Sequence, residues 1–162
     1  MTDPPEASAP TSSVEPPLHY KDQLNDLLWE TTTYVGLMGE AALADTPLTL
    51  PSSGMLAAVL AEPGITVAEM ARRMPKTQQA ISQVAARLEK LGLLERRLGA
   101  GRGVGLFVTD TGRAMAETGL AHERELVARL RDLLGDERYD ELSRLLDESR
   151  TILREAQHGL PD

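Results

Sequence analysis

Apolar side chains recur at spacings of three and four along most of the chain, and the interruptions of that rhythm divide it into six helices and one hairpin. From His19 to about Ala44, the spacing of Tyr20, Leu24, Leu27, Leu28, Thr31, Tyr34, Val35 and Met38 predicts an amphipathic helix. Its weak point is Thr31, Thr32 and Thr33, whose β-branched side chains lose rotamer freedom against the preceding turn, so packing is expected to hold it. Thr46-Pro47 breaks that helix. A second one begins with Thr49 as cap and Pro51 in its first turn, and stops at Pro63-Gly64. Thr66-Val67-Ala68-Glu69 has the form of a capping box, opening a short helix with Val67, Met70 and Ala71 inward and Met74-Pro75 at its end. Thr77 then caps a longer helix, Gln78 to Leu91, which Gly92 closes.

On a helical wheel of that longer helix, Ile81, Val84, Ala85, Leu88 and Leu91 form one apolar stripe. Gln79, Gln83, Ala86 and Lys90 lie opposite, with Gln78 and Ser82 on one shoulder and Arg87 on the other. An amide-rich face with little carboxylate suits contact with base edges, because Gln both donates to and accepts from adenine, whereas carboxylates are repelled by phosphate. A solvated helix face explains the same pattern about equally well. The position just after a short helix and a tight turn favours DNA. Next come two short strands, Leu93 to Leu98 and Leu106 to Thr109, joined by GAGRGVG. Phosphate loops lie between a strand and a helix, so Gly99 to Gly105 reads as a hairpin tip with Arg102 exposed on it. Arg96 and Arg97 are ordinary strand polarity or DNA contacts. Thr109, Asp110 and Thr111 start a long helix to Leu134 with Met115, Leu120, Val127, Leu130 and Leu134 inward. Gly135 ends it, and Asp136 caps a last helix carrying Tyr139, Leu142, Leu145, Leu146, Ile152 and Leu153, stopped by Gly159 and Pro161. The terminal helices hold more apolar side chains than a small wing domain can bury, which implies a homodimer.

Composition changes this picture in three places. Met1 to Pro17 holds five of the ten prolines and almost nothing that could bury surface, so it reads as a disordered tail, and it lacks the basic start and apolar run of an export signal. No window of about eighteen apolar residues occurs, so no membrane span is expected, and the chain reads as cytoplasmic. The absence of cysteine removes disulfides, thiolate metal sites and thiol switches. His19, His122 and His158 have no ligand-like spacing, and neither a metal nor any cofactor is expected.

The net charge of −8 argues against nucleic acid until it is divided along the chain. Met1 to Ala71 has one Lys against ten Asp or Glu, Arg72 to Arg102 has eight Lys or Arg against two Glu, and Gly103 to Asp162 has eight Arg against thirteen Asp or Glu. The one basic block coincides with the helix, turn, helix and hairpin, and an acidic frame around it would repel DNA from other directions.

LTLPSSGMLAAVLAEPGITVAEMARRM, QAISQVAARLEKLGLLERR and LFVTDTGR together resemble the MarR family of bacterial transcription regulators, strongly over Leu48 to Arg113 and by length and pattern in the flanking helices. The resemblance implies a mainly α fold with a small β-hairpin wing, a winged helix-turn-helix over 48–112. It implies dimerisation helices over 18–47 and 113–162, a recognition helix in the major groove and a wing in the minor groove. By matching positions, Thr77, Gln78, Gln79, Ser82 and Gln83 would face bases or nearby phosphates. Arg72, Arg73, Lys76 and Arg87 would hold the backbone, with Arg96, Arg97 and the wing-tip Arg102 beside them. The wing departs from the family's acidic-basic tip: Ala100, Gly101 and Arg102 stand there with no aspartate to brace the arginine. Members commonly answer to small aromatic molecules, for which Trp29, Tyr34, Met38 and Met55 are the pocket candidates, with His19 or His122 as polar partners. For each of the four, a place in the core is the more ordinary expectation.

The resulting expectation is a homodimeric, sequence-specific regulator of double-stranded DNA, a repressor released by a small effector. The competing one is a winged-helix protein-interaction or scaffold module, which gains if the basic residues pair internally with acidic neighbours. No nucleophile-base pair or paired catalytic carboxylates point to an enzyme.

Overall fold

A computed structural model of the chain describes residues 23–74, 76–98 and 103–158. The Pro-rich segment Met1 to Pro17, the expected helix start at His19 and Tyr20, Pro75, the hairpin tip Gly99 to Arg102 and the stop at Gly159 and Pro161 lie outside the described residues. The chain divides into two units, Met1–Val35 and Gly36–Asp162. Helix α1, Leu24–Ala42, begins in the first and ends in the second.

In the first unit, Thr32 and Thr33 are exposed, and their hydroxyls donate to carbonyls of the preceding turn, Thr32 to Leu28 at 2.8 Å and Thr33 to Trp29 at 2.7 Å. The weak stretch therefore satisfies itself locally instead of by packing. Leu24, Leu27, Leu28, Trp29 and Tyr34 are all exposed.

The second unit holds the core. It comprises the end of α1, then α2 (Leu50–Ala61), α3 (Val67–Arg73), α4 (Gln78–Lys90), β1 (Leu94–Leu98), β2 (Val104–Val108), α5 (Asp110–Leu134) and α6 (Asp136–His158). Leu56, Val59, Met70, Leu88 and Leu106 are fully buried where α2, α3, α4 and β2 meet, and Ala116 brings α5 onto them. At the start of α2, Ser52 Oγ accepts the Thr49 N–H at 2.7 Å and donates to the Thr49 carbonyl at 2.9 Å. β1 and β2 pair antiparallel, Leu94 opposite Val108 and Leu98 opposite Val104.

A third edge of this sheet was not anticipated. The stretch before α3 bridges Thr66 to Gly105, with Gly64 N–H on the Leu106 carbonyl at 2.8 Å and Leu106 N–H on the Ile65 carbonyl at 3.0 Å. The approach is so close that a Cβ on Gly105 would stand 2.7 Å from the Gly64 oxygen. Two expectations need correction. Leu91 is the C-terminal cap residue of α4 and lies exposed, because the helix ends at Lys90 and its buried stripe at Leu88. Asp136 lies inside the first turn of α6, and its carboxylate accepts from Arg131 at 2.9 Å.

Among the described residues, no helix is long and apolar enough to cross a membrane.

Candidate nucleic-acid interface

The candidate surface is built by α3, the turn after it, and α4. Thr66 fixes the entry: its N–H and hydroxyl both donate to Glu69 Oε2 at 2.8 Å, and its Oγ1 accepts the Glu69 N–H at 3.1 Å. The Thr66 N–H, then its hydroxyl, hold the Glu69 carboxyl below the ordinary carboxylate range, with the charges of Arg72 and Arg73 adding to the effect. Thr77 Oγ1 accepts the Ala80 N–H at 3.2 Å and so caps α4, as its sequence position requires.

The burial of α4 follows its wheel. Ile81, Ala85 and Leu88 are buried, Val84 is half-buried, and Gln78, Gln79, Gln83, Ala86, Arg87 and Lys90 are exposed, with Ser82 intermediate. The helix therefore presents amides, a hydroxyl and cations outward. Its one carboxylate, Glu89, is half-buried and engaged by Arg96 Nε at 2.9 and 3.0 Å.

The expected backbone contacts divide into two kinds. Arg72, Lys76 and Lys90 are exposed and have no ion pair among the described residues. Arg73 is paired with Glu62, whose hydrogen bonds raise the guanidinium pKa further above its usual value. Arg96 is paired with Glu89, and Arg97 with Glu95 while lying 5.1 Å over the Phe107 ring. Arg87 donates to the Pro47 carbonyl at 3.2 Å, tying α4 to the loop before α2. Glu62 is eleven residues from Arg73, Glu89 seven from Arg96 and Pro47 forty from Arg87, separations that the apolar periodicity does not reveal. Arg102 lies outside the described residues.

A cleft of about 200 Å³ opens in the second unit between the end of α1, α2 and α5, lined by Gly39, Ala42, Leu43, Leu50, Ser53, Gly54, Gly119, His122, Glu123 and Leu126. His122, expected only as a polar partner for a pocket, lies there with its side chain 20% exposed. Met38 and Met55 do not line this cleft, and Met55 is core at 2% exposure. Trp29 and Tyr34 belong to the first unit, where they are 58% and 66% exposed.

A MarR-family model matches residues 46–103, which span α2, α3, α4 and β1. The HTH-type transcriptional repressor Rv2887 of Mycobacterium tuberculosis is 34% identical over 109 residues, 66% of this chain and 78% of that protein. The chain belongs to the MarR family. The crystal structure of the M. tuberculosis MarR family protein Rv2887 in complex with DNA matches with a TM-score of 0.65 and 30% identity, over 79% of this chain and 98% of that one. The complex of the same protein with salicylic acid matches with a TM-score of 0.63 and 31% identity, over 79% and 96%. Bordetella bronchiseptica BpsR, whose DNA binding is regulated by 6-hydroxynicotinic acid, has a TM-score of 0.74 over 83% and 98% of the two chains. At 19% identity it speaks for the shared MarR fold alone.

Proposed function

We propose that this MarR-family chain is a sequence-specific DNA-binding repressor that acts as a homodimer on a pseudo-palindromic operator and is released by a small molecule. The observation that carries the reading is α4: its apolar stripe is buried, and its outward face carries Gln78, Gln79, Gln83, Arg87 and Lys90 with no free carboxylate. Gln79 and Gln83 are assigned to base edges. Thr77, Gln78 and Ser82 lie beside them, with Arg72, Arg73, Lys76, Arg87, Arg96, Arg97 and Arg102 on phosphates. The identity to Rv2887, a named repressor whose complex with DNA has been crystallised, supports the same role. Two heads related by a two-fold axis require half-sites about ten base pairs apart. The exposed apolar side chains of α1 and α6 supply the surface for dimerisation. The cleft beside His122 is the effector site in this reading, consistent with the salicylic acid complex of Rv2887.

One observation favours the alternative, a winged-helix module that binds protein: Arg73, Arg96 and Arg97 are paired with glutamates. Such exposed pairs are weak and exchange readily for phosphate, so they lower DNA affinity without forbidding it. Fluorescence anisotropy of the full chain on the promoter region of its own gene, against random duplex of equal length, separates the two. Tight binding to the promoter, falling steeply with salt, is expected; equal affinity for both duplexes at physiological salt would sink the repressor reading.

A further inference from the structure

The cleft has an apolar body and an acidic end. Leu43, Leu50 and Leu126 supply the body, and Gly54 in its wall has nothing within 4 Å of where a Cβ would stand, so the hollow is open there. A volume of about 200 Å³ suits one substituted six-membered ring, given that an apolar cavity of roughly 150 Å³ takes up benzene. The polar end is formed by His122 and Glu123. Two further carboxylates stand on the histidine: Asp45 Oδ1 lies 3.6 Å from Nε2, and Glu125 Oε2 lies 3.7 Å from Nδ1. Among the described residues, no Lys or Arg lines the cleft. Glu123 is the one carboxylate of the lining, and the carboxylates of Asp45 and Glu125, each 76% exposed, add negative potential around the histidine. A carboxylate ligand would therefore enter against repulsion, while a cation would replace water beside Glu123 with a charged partner.

We propose that the cleft selects single-ring amines, in their ammonium form, over carboxylates of the same shape. The inference rests on the proposed effector role of the cleft but concerns only which charge it accepts. It thereby separates this chain from what the salicylic acid complex of Rv2887 would suggest by analogy. Glu123 is the residue assigned to the ammonium group, and the histidine with its two carboxylates sets the sign of the local potential.

Isothermal titration of the full-length, DNA-free protein with benzylammonium, benzyl alcohol and benzoate tests this on the native chain, so no variant has to fold. Benzylammonium is expected to bind tightest and benzoate at least tenfold more weakly, with the ratio shrinking as salt is raised, since screening acts on the charge and not on the ring. Glu123→Gln is expected to cut the amine's advantage several-fold while leaving benzyl alcohol unchanged. Gly54→Leu, which fills the open wall of the cleft, is expected to abolish binding of the amine and the alcohol. Benzoate binding as tightly as the amine, no binding of any of the three, or amine binding indifferent to Gly54→Leu would each overturn the proposal. DNA affinity is measured separately: an amine that binds the cleft and leaves operator affinity untouched overturns the effector reading and not the charge selection.

Discussion

Arg97 shows how one side chain divides its loyalty between fold and ligand. Its guanidinium lies over Phe107 and pairs with Glu95 two residues away on the same strand, so a phosphate must compete with a carboxylate already in place. Glu95→Gln removes the competitor and one repelling charge. It is expected to tighten operator binding a few-fold and to steepen the dependence of log K on log salt, read by anisotropy from 50 to 200 mM salt. An unchanged slope would mean that Arg97 never reaches the backbone. At the two positions proposed to read bases the expected signature is different: Gln79→Ala or Gln83→Ala loses roughly 1 to 3 kcal/mol of discrimination at one base pair, with random-sequence affinity nearly unmoved. Arg72 has no ion pair among the described residues to release, so Arg72→Ala should weaken all duplexes alike. The glutamines and their outward direction were legible from helical spacing alone. The restraints on the arginines were not, because Glu62 is eleven residues from Arg73, and Glu89 meets Arg96 only after α4 has turned into β1.

Elements were legible where a cap announced them, and less so where backbone met backbone across the fold. Thr66 and Thr77 each occupy the cap position their sequence context predicts, and Thr109, the first of three residues read as starting α5, is its cap. The strand-like edge at Gly64 to Thr66 has no apolar alternation to mark it, and its evidence is a pair of hydrogen bonds to Leu106. The capping box on α3 gives the fold a pH dependence of defined sign. Glu69 has its carboxyl pKa lowered from 4.5 by the Thr66 N–H and hydroxyl, so the folded state favours the ionised form. Its contribution is fully present above 4.5 and is lost as the pH falls through the lowered folded-state value. Urea midpoints of the native chain should therefore decline as the solution is acidified below that point. Glu69→Gln, which cannot titrate, should show a smaller decline over the same range, and identical declines would remove Glu69 from the acid response. A second junction is steric. A Cβ on Gly112 would stand 1.9 Å from the Leu93 carbonyl oxygen, where the first turn of α5 crosses the start of the wing. Because that neighbour is backbone and cannot rotate away, Gly112→Ala is expected to cost roughly 1 to 3 kcal/mol in urea denaturation, despite the better helix propensity of alanine.

At the scale of the whole molecule, the unresolved account is one of apolar surface. Among its described side chains helix α6 buries none, and Leu142, Leu145, Leu146, Ile152 and Leu153 recur on it at helical spacing, the last two 65% and 66% exposed. An exposed apolar stripe of this kind is unusual on a monomer's surface and supports the proposed association of two copies. Arg144 pairs with Glu148 at 2.8 Å and Arg150 with Asp147, both along the same helix. At the other end of α6, Arg131 of α5 forks between Asp136 at 2.9 Å and Asp140 at 2.7 Å and lies 4.3 Å over Tyr139, so the α5–α6 corner is tied down by charge and by a ring. A stripe held in place and left bare is suited to a second copy. Leu145→Glu with Ile152→Glu places charge in that stripe without touching α3, α4 or the cleft. The double variant is expected to elute and scatter light as a monomer while keeping the helical circular dichroism of the native chain. Joining two heads makes the second contact intramolecular, which multiplies affinity by roughly 10² to 10⁴ when both half-sites can be spanned. The monomer should therefore bind a full operator no better than an isolated half-site, whereas the native chain should prefer the full operator by at least that lower factor. A monomeric variant that retained native affinity for the full operator would show that one head suffices, and the spacing of half-sites would then carry no information for this protein.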